Sequence, residues 1–131
     1  MMRRFGLGGC AAAAMLLAVH GASAQSITAR SGTTTLVHIY QSWNDDCTPN
    51  TGVVRVVRKP EHGKLTPSKV TSVIRRNRFS TVASACIGRT LPSFRVDYTP
   101  ARGYHGLDSF VIEAIFGRRQ PITDVYTVSV E

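Results

Sequence analysis

The chain has 131 residues, room for one ordinary domain and too few for two. Apolar residues make up 43%, charged residues 18% and aromatic residues 8%, with no polar low-complexity tract, which excludes a disordered chain and a collagen-like one. Sixteen Lys and Arg against 8 Asp and Glu give a formal charge of +8, a property that bears on partners and solubility rather than on fold.

Met1 to Ala24 has the three parts of a secretory signal peptide. Arg3 and Arg4 supply the positive start, Leu7 to Val19 the apolar stretch, and Ala22-Ser23-Ala24 the small-residue cleavage site. The apolar stretch is 13 residues long, short of the roughly 18 that a membrane-spanning helix requires. The expectation is a leader at 1–24 and one mature domain at 25–131, placed in the periplasm or released from the cell. Loss of Arg3 and Arg4 leaves 14 basic against 8 acidic residues, a formal charge of +6. Cys10 goes with the leader, and the remaining pair, Cys47 and Cys86, is expected to form a disulfide in an oxidising compartment.

Strand signals follow one another along the mature chain. The runs Thr33 to Tyr40, Val53 to Arg58, Lys69 to Ile74, Arg78 to Ala83, Ser93 to Tyr98, Asp108 to Phe116 and Ile122 to Val130 are short and rich in β-branched or aromatic residues. Phe94, Val96 and Tyr98 alternate with Ser93, Arg95 and Asp97, which places the first set inward and the second outward. Phe110, Ile112, Ala114 and Phe116 form a second core face, and Ile122, Tyr126, Val128 and Val130 a third. Val111 and Ile115, interrupted by Glu113, leave the opposite face of that sixth run apolar too, as in a central or partly covered strand. Turn-formers at Pro60 to Gly63, Pro100 to Gly106 and Gly117 to Pro121 read as hairpins and tight returns. With no crossover helix between the runs, the expected fold is all-β, an antiparallel sandwich of about seven strands in two sheets.

The most specific stretch is Tyr98-Thr99-Pro100-Ala101-Arg102-Gly103-Tyr104-His105-Gly106-Leu107-Asp108-Ser109-Phe110. Tyr98 closes one strand pointing inward and Pro100 blocks further pairing. Gly103 and Gly106 suit positive φ angles, and Asp108 can accept backbone N–H groups before Phe110 re-enters the core. This stretch resembles the strand-turn-strand signature of bacterial immunoglobulin-like and cadherin-like repeat domains. Pro60-Glu61-His62-Gly63-Lys64-Leu65 resembles the hairpin that precedes that signature in the same domains. The resemblance implies an immunoglobulin-like sandwich, usually found in tandem within large surface proteins with adhesive or spacer roles. Here the signature stands as a single copy with its own leader, a cysteine pair, and a basic Gly117-Arg118-Arg119 turn.

No nucleophile elbow of the Gly-x-Ser-x-Gly type accompanies His38, His62 and His105, so no catalytic role is expected and no cofactor is implied. A small metal-handling protein is a weaker alternative, because those three histidines fall on separate predicted elements. The charge pattern is more informative. Arg55, Arg58, Lys59, Lys64, Lys69, Arg75, Arg76 and Arg78 face a single acid, Glu61, within 24 residues. On one sheet face they would attract phosphate or carboxylate groups. No stacking aromatic series or recognition helix accompanies them, which argues against specific nucleic-acid binding. The expectation is an exported, non-enzymatic module that binds a protein or an anionic envelope component, with Arg55, Arg58, Lys59, Arg75, Arg76 and Arg78 as contacts. An inhibitor or effector anchored by Trp43, in the loop Gln41 to Gly52, is the alternative.

Overall fold

A computed structural model describes residues 22–75 and 85–131. Period-two alternation produces seven strands, and no helix occurs among the described residues. They are β1 (Ser23–Ala29), β2 (Thr35–Tyr40), β3 (Gly52–Arg58), β4 (Gly63–Val73), β5 (Thr90–Pro100), β6 (Gly106–Phe116) and β7 (Ile122–Val130). Two sheets pack face to face, one of four strands in the order β1-β7-β6-β3 and one of three in the order β2-β5-β4. All pairs are antiparallel except β1 with β7, which is parallel and runs from Ser23 opposite Asp124 to Ala29 opposite Val130.

The layers meet over a single main core. Tyr40, Val96 and Tyr98 from the three-stranded sheet pack against Phe110, Ile112, Ala114, Phe116, Tyr126 and Val128 from the other. Phe110 links the layers through ring contacts, 5.4 Å from Tyr98 and 5.2 Å from Tyr126 between centroids. Asp124 is fully buried on the inner face of β7 and accepts a 2.8 Å hydrogen bond from the Tyr40 hydroxyl. Burial first, then the neighbouring Tyr126 and Asp124, pushes ionisation of Tyr40 far above the ordinary tyrosine range.

Several expectations are corrected by this arrangement. The sheet is not wholly antiparallel, because β1 uses the free edge of β7; its sequence Ser-Ala-Gln-Ser-Ile-Thr-Ala carries little strand signal of its own. The run Lys69 to Ile74 is the second half of a longer strand that begins at Gly63. Pro67 is tolerated inside it because β4 is an edge strand with one side unpaired. The run Arg78 to Ala83 lies outside the described residues. Ser93 shares the outward face with Arg95 and Asp97 but is itself buried. Gln41 covers it there, donating to the hydroxyls of Ser72 and Ser93. Of the three expected returns, only residues 117–121 close a hairpin, between β6 and β7. Residues 59–62 and 101–105 cross from one sheet to the other.

Candidate functional site

Those two crossings form one corner. Asp108, at the start of β6, receives the Tyr98 hydroxyl at 2.7 Å, the N–H groups of Glu61 and His62 at 3.0 Å each, and its neighbour Ser109 N–H at 2.8 Å. Burial is the largest influence on this carboxyl and opposes its ionisation. The Tyr98 hydroxyl and the N–H groups of Glu61, Ser109 and His62 together outweigh it and hold Asp108 below the usual carboxylate range. Ala101 N–H donates to the His62 carbonyl at 2.8 Å, and the His62 ring stacks on Tyr104 at 3.9 Å. Pro100 is buried at the end of β5, Phe110 enters the core, and Gly103 and Gly106 take φ angles of 79° and 135°. The two motifs that carry the resemblance, far apart in sequence, are therefore halves of one bonded unit. A shallow hollow of about 300 Å³ beside it is lined by Glu61, His62, Leu107, Asp108, Ser109 and Thr127. Its central carboxylate is already saturated with donors.

The disulfide pairs Cys47 with Cys86 and fastens the 41–51 loop to the segment before β5. Beneath it lies a second, small core of Ile74, Cys86 and Leu91, against which Trp43 and Cys47 pack. Trp43 is half-buried on this support and bridges to Pro49 across the loop. Its ring thus packs against the loop's own support while part of it stays open to solvent. Asp46 turns back on Thr48, accepting from its hydroxyl at 2.6 Å and its N–H at 3.1 Å; these bonds, the hydroxyl's first, hold the Asp46 carboxyl below its ordinary range.

The histidines stay apart, His38 on β2 with its ring 4.6 Å from Tyr40, His62 on the first crossing and His105 on the second. Among the described residues no group of three or more His, Cys, Asp or Glu could hold a metal ion, and no helix is long and apolar enough to cross a membrane.

The basic residues take a different position. β3 and β4 are the edge strands of their respective sheets, joined by residues 59–62, and they run along one flank of the body. Arg55, on the outward face of β3, pairs with Glu113 directly opposite on β6. Arg58, Lys59, Lys64, Lys69 and Arg75 are exposed along the same flank, and none is paired with an acid among the described residues. Lys64 to Arg75 spans roughly 36 Å of extended chain. Arg76 and Arg78 lie outside the described residues. The structure thus gives Arg55 an acidic partner and leaves Lys64 and Lys69, of the same basic run, exposed with Arg58, Lys59 and Arg75.

No family model matches the chain, and no curated protein matches it. Among solved structures it is similar to the solution structure of Amebosin, at 12% identity and a TM-score of 0.45, covering 85% of this chain and 99% of that one.

Proposed function

We propose that the chain is an exported, non-enzymatic binding module of the cell envelope, built on an immunoglobulin-like sandwich, that contacts an anionic envelope component through the β3–β4 flank. The observation that carries this reading is the set of five exposed cations, Arg58, Lys59, Lys64, Lys69 and Arg75, on or just beyond the edge strands β3 and β4, with Glu61 the single acid among them and none in a salt bridge among the described residues. None of them is sunk in a pocket, so the flank suits an extended array of phosphates or carboxylates better than a single small anion. The same cations also discourage edge-to-edge pairing of β3 and β4.

The strand order supports the immunoglobulin-like part. β3, β6 and β7 fall as the C, F and G strands of such a sandwich, and β2, β5 and β4 as B, E and D. The first strand departs from that scheme by joining β7. The leader motif at 1–24 supports export.

The test is co-sedimentation with phosphatidylglycerol vesicles, phosphatidylcholine vesicles and vesicles carrying lipid A. Binding is expected on the anionic surfaces alone and should fade at high salt. With about 1 kcal/mol per cation near an anionic surface, Lys64→Gln with Lys69→Gln should weaken it about 30-fold. Binding that ignores salt, or equal binding to phosphatidylcholine, would refute the proposal.

A further inference from the structure

The outward face of the four-stranded sheet adjoins the basic flank and mixes two chemistries. Its β3–β6 half presents Val53, Val57, Leu107, Val111 and Ile115, and Val125 continues it on β7. Val53, Val57 and Leu107 are 51%, 57% and 68% exposed, and the other three are half-buried. Neighbouring apolar side chains open to water mark a surface that meets something less polar than water. Among the described residues three charges stand on this face. Arg55 and Glu113 lie opposite one another and are bonded. Arg58 is exposed and has no such partner. The register of β3 slips at Val57, so Val57 and Arg58 together oppose Val111, and the arginine side chain starts among aliphatic ones. Further cations border the strip at both ends. Lys59 follows Arg58 into the crossing, whose acid is Glu61, and Arg118 and Arg119 are exposed on the 117–121 hairpin where β6 turns into β7. Neither of these two arginines forms a salt bridge among the described residues.

We infer that this face rests on an anionic lipid bilayer, which, given the flank's proposed affinity for an anionic envelope component, makes lipid that component. A soluble polyanion offers phosphates or carboxylates to the cations and leaves the valines and Leu107 in water. A bilayer surface satisfies both, with phosphates at the headgroup level and hydrocarbon beneath them. Arg58 suits that boundary, because a long cationic side chain rooted among aliphatic groups keeps its stem in the apolar layer and its head at the phosphates. The bonded Arg55 and Glu113 enter without net charge, and Lys59, Arg118 and Arg119 meet phosphates at the rim. Thr123, Thr127 and Ser129, which complete the face on β7, are uncharged and add no repulsion. The aliphatic side chains are short, so the contact is shallow and reversible, strengthened by anionic lipid and weakened by salt.

Two probes separate lipid from charge: phosphatidylglycerol vesicles, and soluble polyphosphate, which carries phosphates without acyl chains. Val57→Ser with Leu107→Ser should weaken vesicle binding about tenfold and leave polyphosphate binding unchanged. Both side chains are exposed, so the fold should tolerate the change, and an unaltered Tm checks it. Should that Tm fall, tryptophan variants decide alone. Leu107→Trp, compared with the unaltered protein and its Trp43, should gain emission that lipids brominated on their acyl chains quench. Leu36→Trp should gain emission that they do not quench, because Leu36 is exposed on the outer face of the other sheet, across from Asp97. Three results would each overturn the inference and leave the flank reading in place: vesicle binding that survives the serine changes, polyphosphate binding that falls with them by the same factor, or equal quenching at positions 36 and 107. Failure of the unaltered protein to bind either probe would overturn both.

Discussion

Replacing Asp108 with Ala should destabilise the fold more than any other single exposed-loop or turn substitution, because one carboxylate holds both crossings. It strands four donors at once: the Tyr98 hydroxyl and the N–H groups of Glu61, His62 and Ser109. Glu61 is exposed and Ser109 half-buried, so water can replace part of what they lose. The Tyr98 hydroxyl end and the His62 N–H are less fortunate. At ~1–3 kcal/mol for each buried donor left without a partner, the expected loss is about 3–5 kcal/mol, a large share of the ~5–15 kcal/mol typical of a domain. For a domain of this size that lowers Tm by roughly 12–20 °C. Tyr98→Phe removes a single donor and should cost about 1–2 kcal/mol, and its effect should largely vanish in an Asp108→Ala background.

Acid titration gives an independent reading of the same carboxylate. Its folded-state pKa is depressed, so the stability it contributes is fully present above the unfolded value of about 3.9 and is lost as pH falls through the folded value. The difference in Tm between the unaltered protein and Asp108→Asn should therefore narrow as pH is lowered below about 3.9. A melting point for Asp108→Ala within about 3 °C of the unaltered protein, or an acid slope that Asp108→Asn leaves unchanged, would refute the reasoning.

Reduction of the Cys47–Cys86 bond, which spans 39 residues, should cost about 4 kcal/mol on the chain-entropy account; melting with and without reductant measures it. Gly63→Ala should cost about 1–3 kcal/mol in chemical denaturation, through overpacking alone. Its new Cβ would fall 2.5 Å and 2.7 Å from the Tyr98 ring and 2.8 Å from the Thr99 carbonyl oxygen.

The sequence was most readable where local chemistry and tertiary need coincide. β6 and β7 alternate cleanly because each is buried on one face, and the corner residues carry their own turn chemistry. Asp108 has the right residue type at the right place to bind the preceding crossing, although nothing local says which N–H groups it receives. β1 illustrates the opposite case. Its seven residues hold one Ile among Ser, Ala, Gln and Thr, and they become a strand because β7, a hundred residues away, offers an open edge. Asp124 sits in phase with the apolar residues of β7, yet its charge reads as an exception until the Tyr40 hydroxyl is seen beside it. Trp43 in a long loop reads as an anchor for a partner, and nothing local says that Ile74, Cys86 and Leu91 pack beneath it. The basic run reads as one cluster in sequence, but register divides it, because among its described residues Arg55 alone has an acid directly opposite.

The placement of the acids bears on the charge of the molecule's exterior as well. Its carboxylates are largely engaged by the fold: Asp46 by Thr48, Asp97 by Arg95, Asp108 by the corner, Glu113 by Arg55 and Asp124 by Tyr40. These bonds fix each carboxylate in place, and of the five only Asp97 and Glu113 pair with a cation; among the described residues none of them forms a salt bridge with Arg58, Lys59, Lys64, Lys69 or Arg75. An acid introduced at Ser68, exposed on β4 between Lys64 and Lys69 and opposite Arg95, would screen those lysines without touching the core and should reduce anionic-surface binding while leaving Tm unchanged.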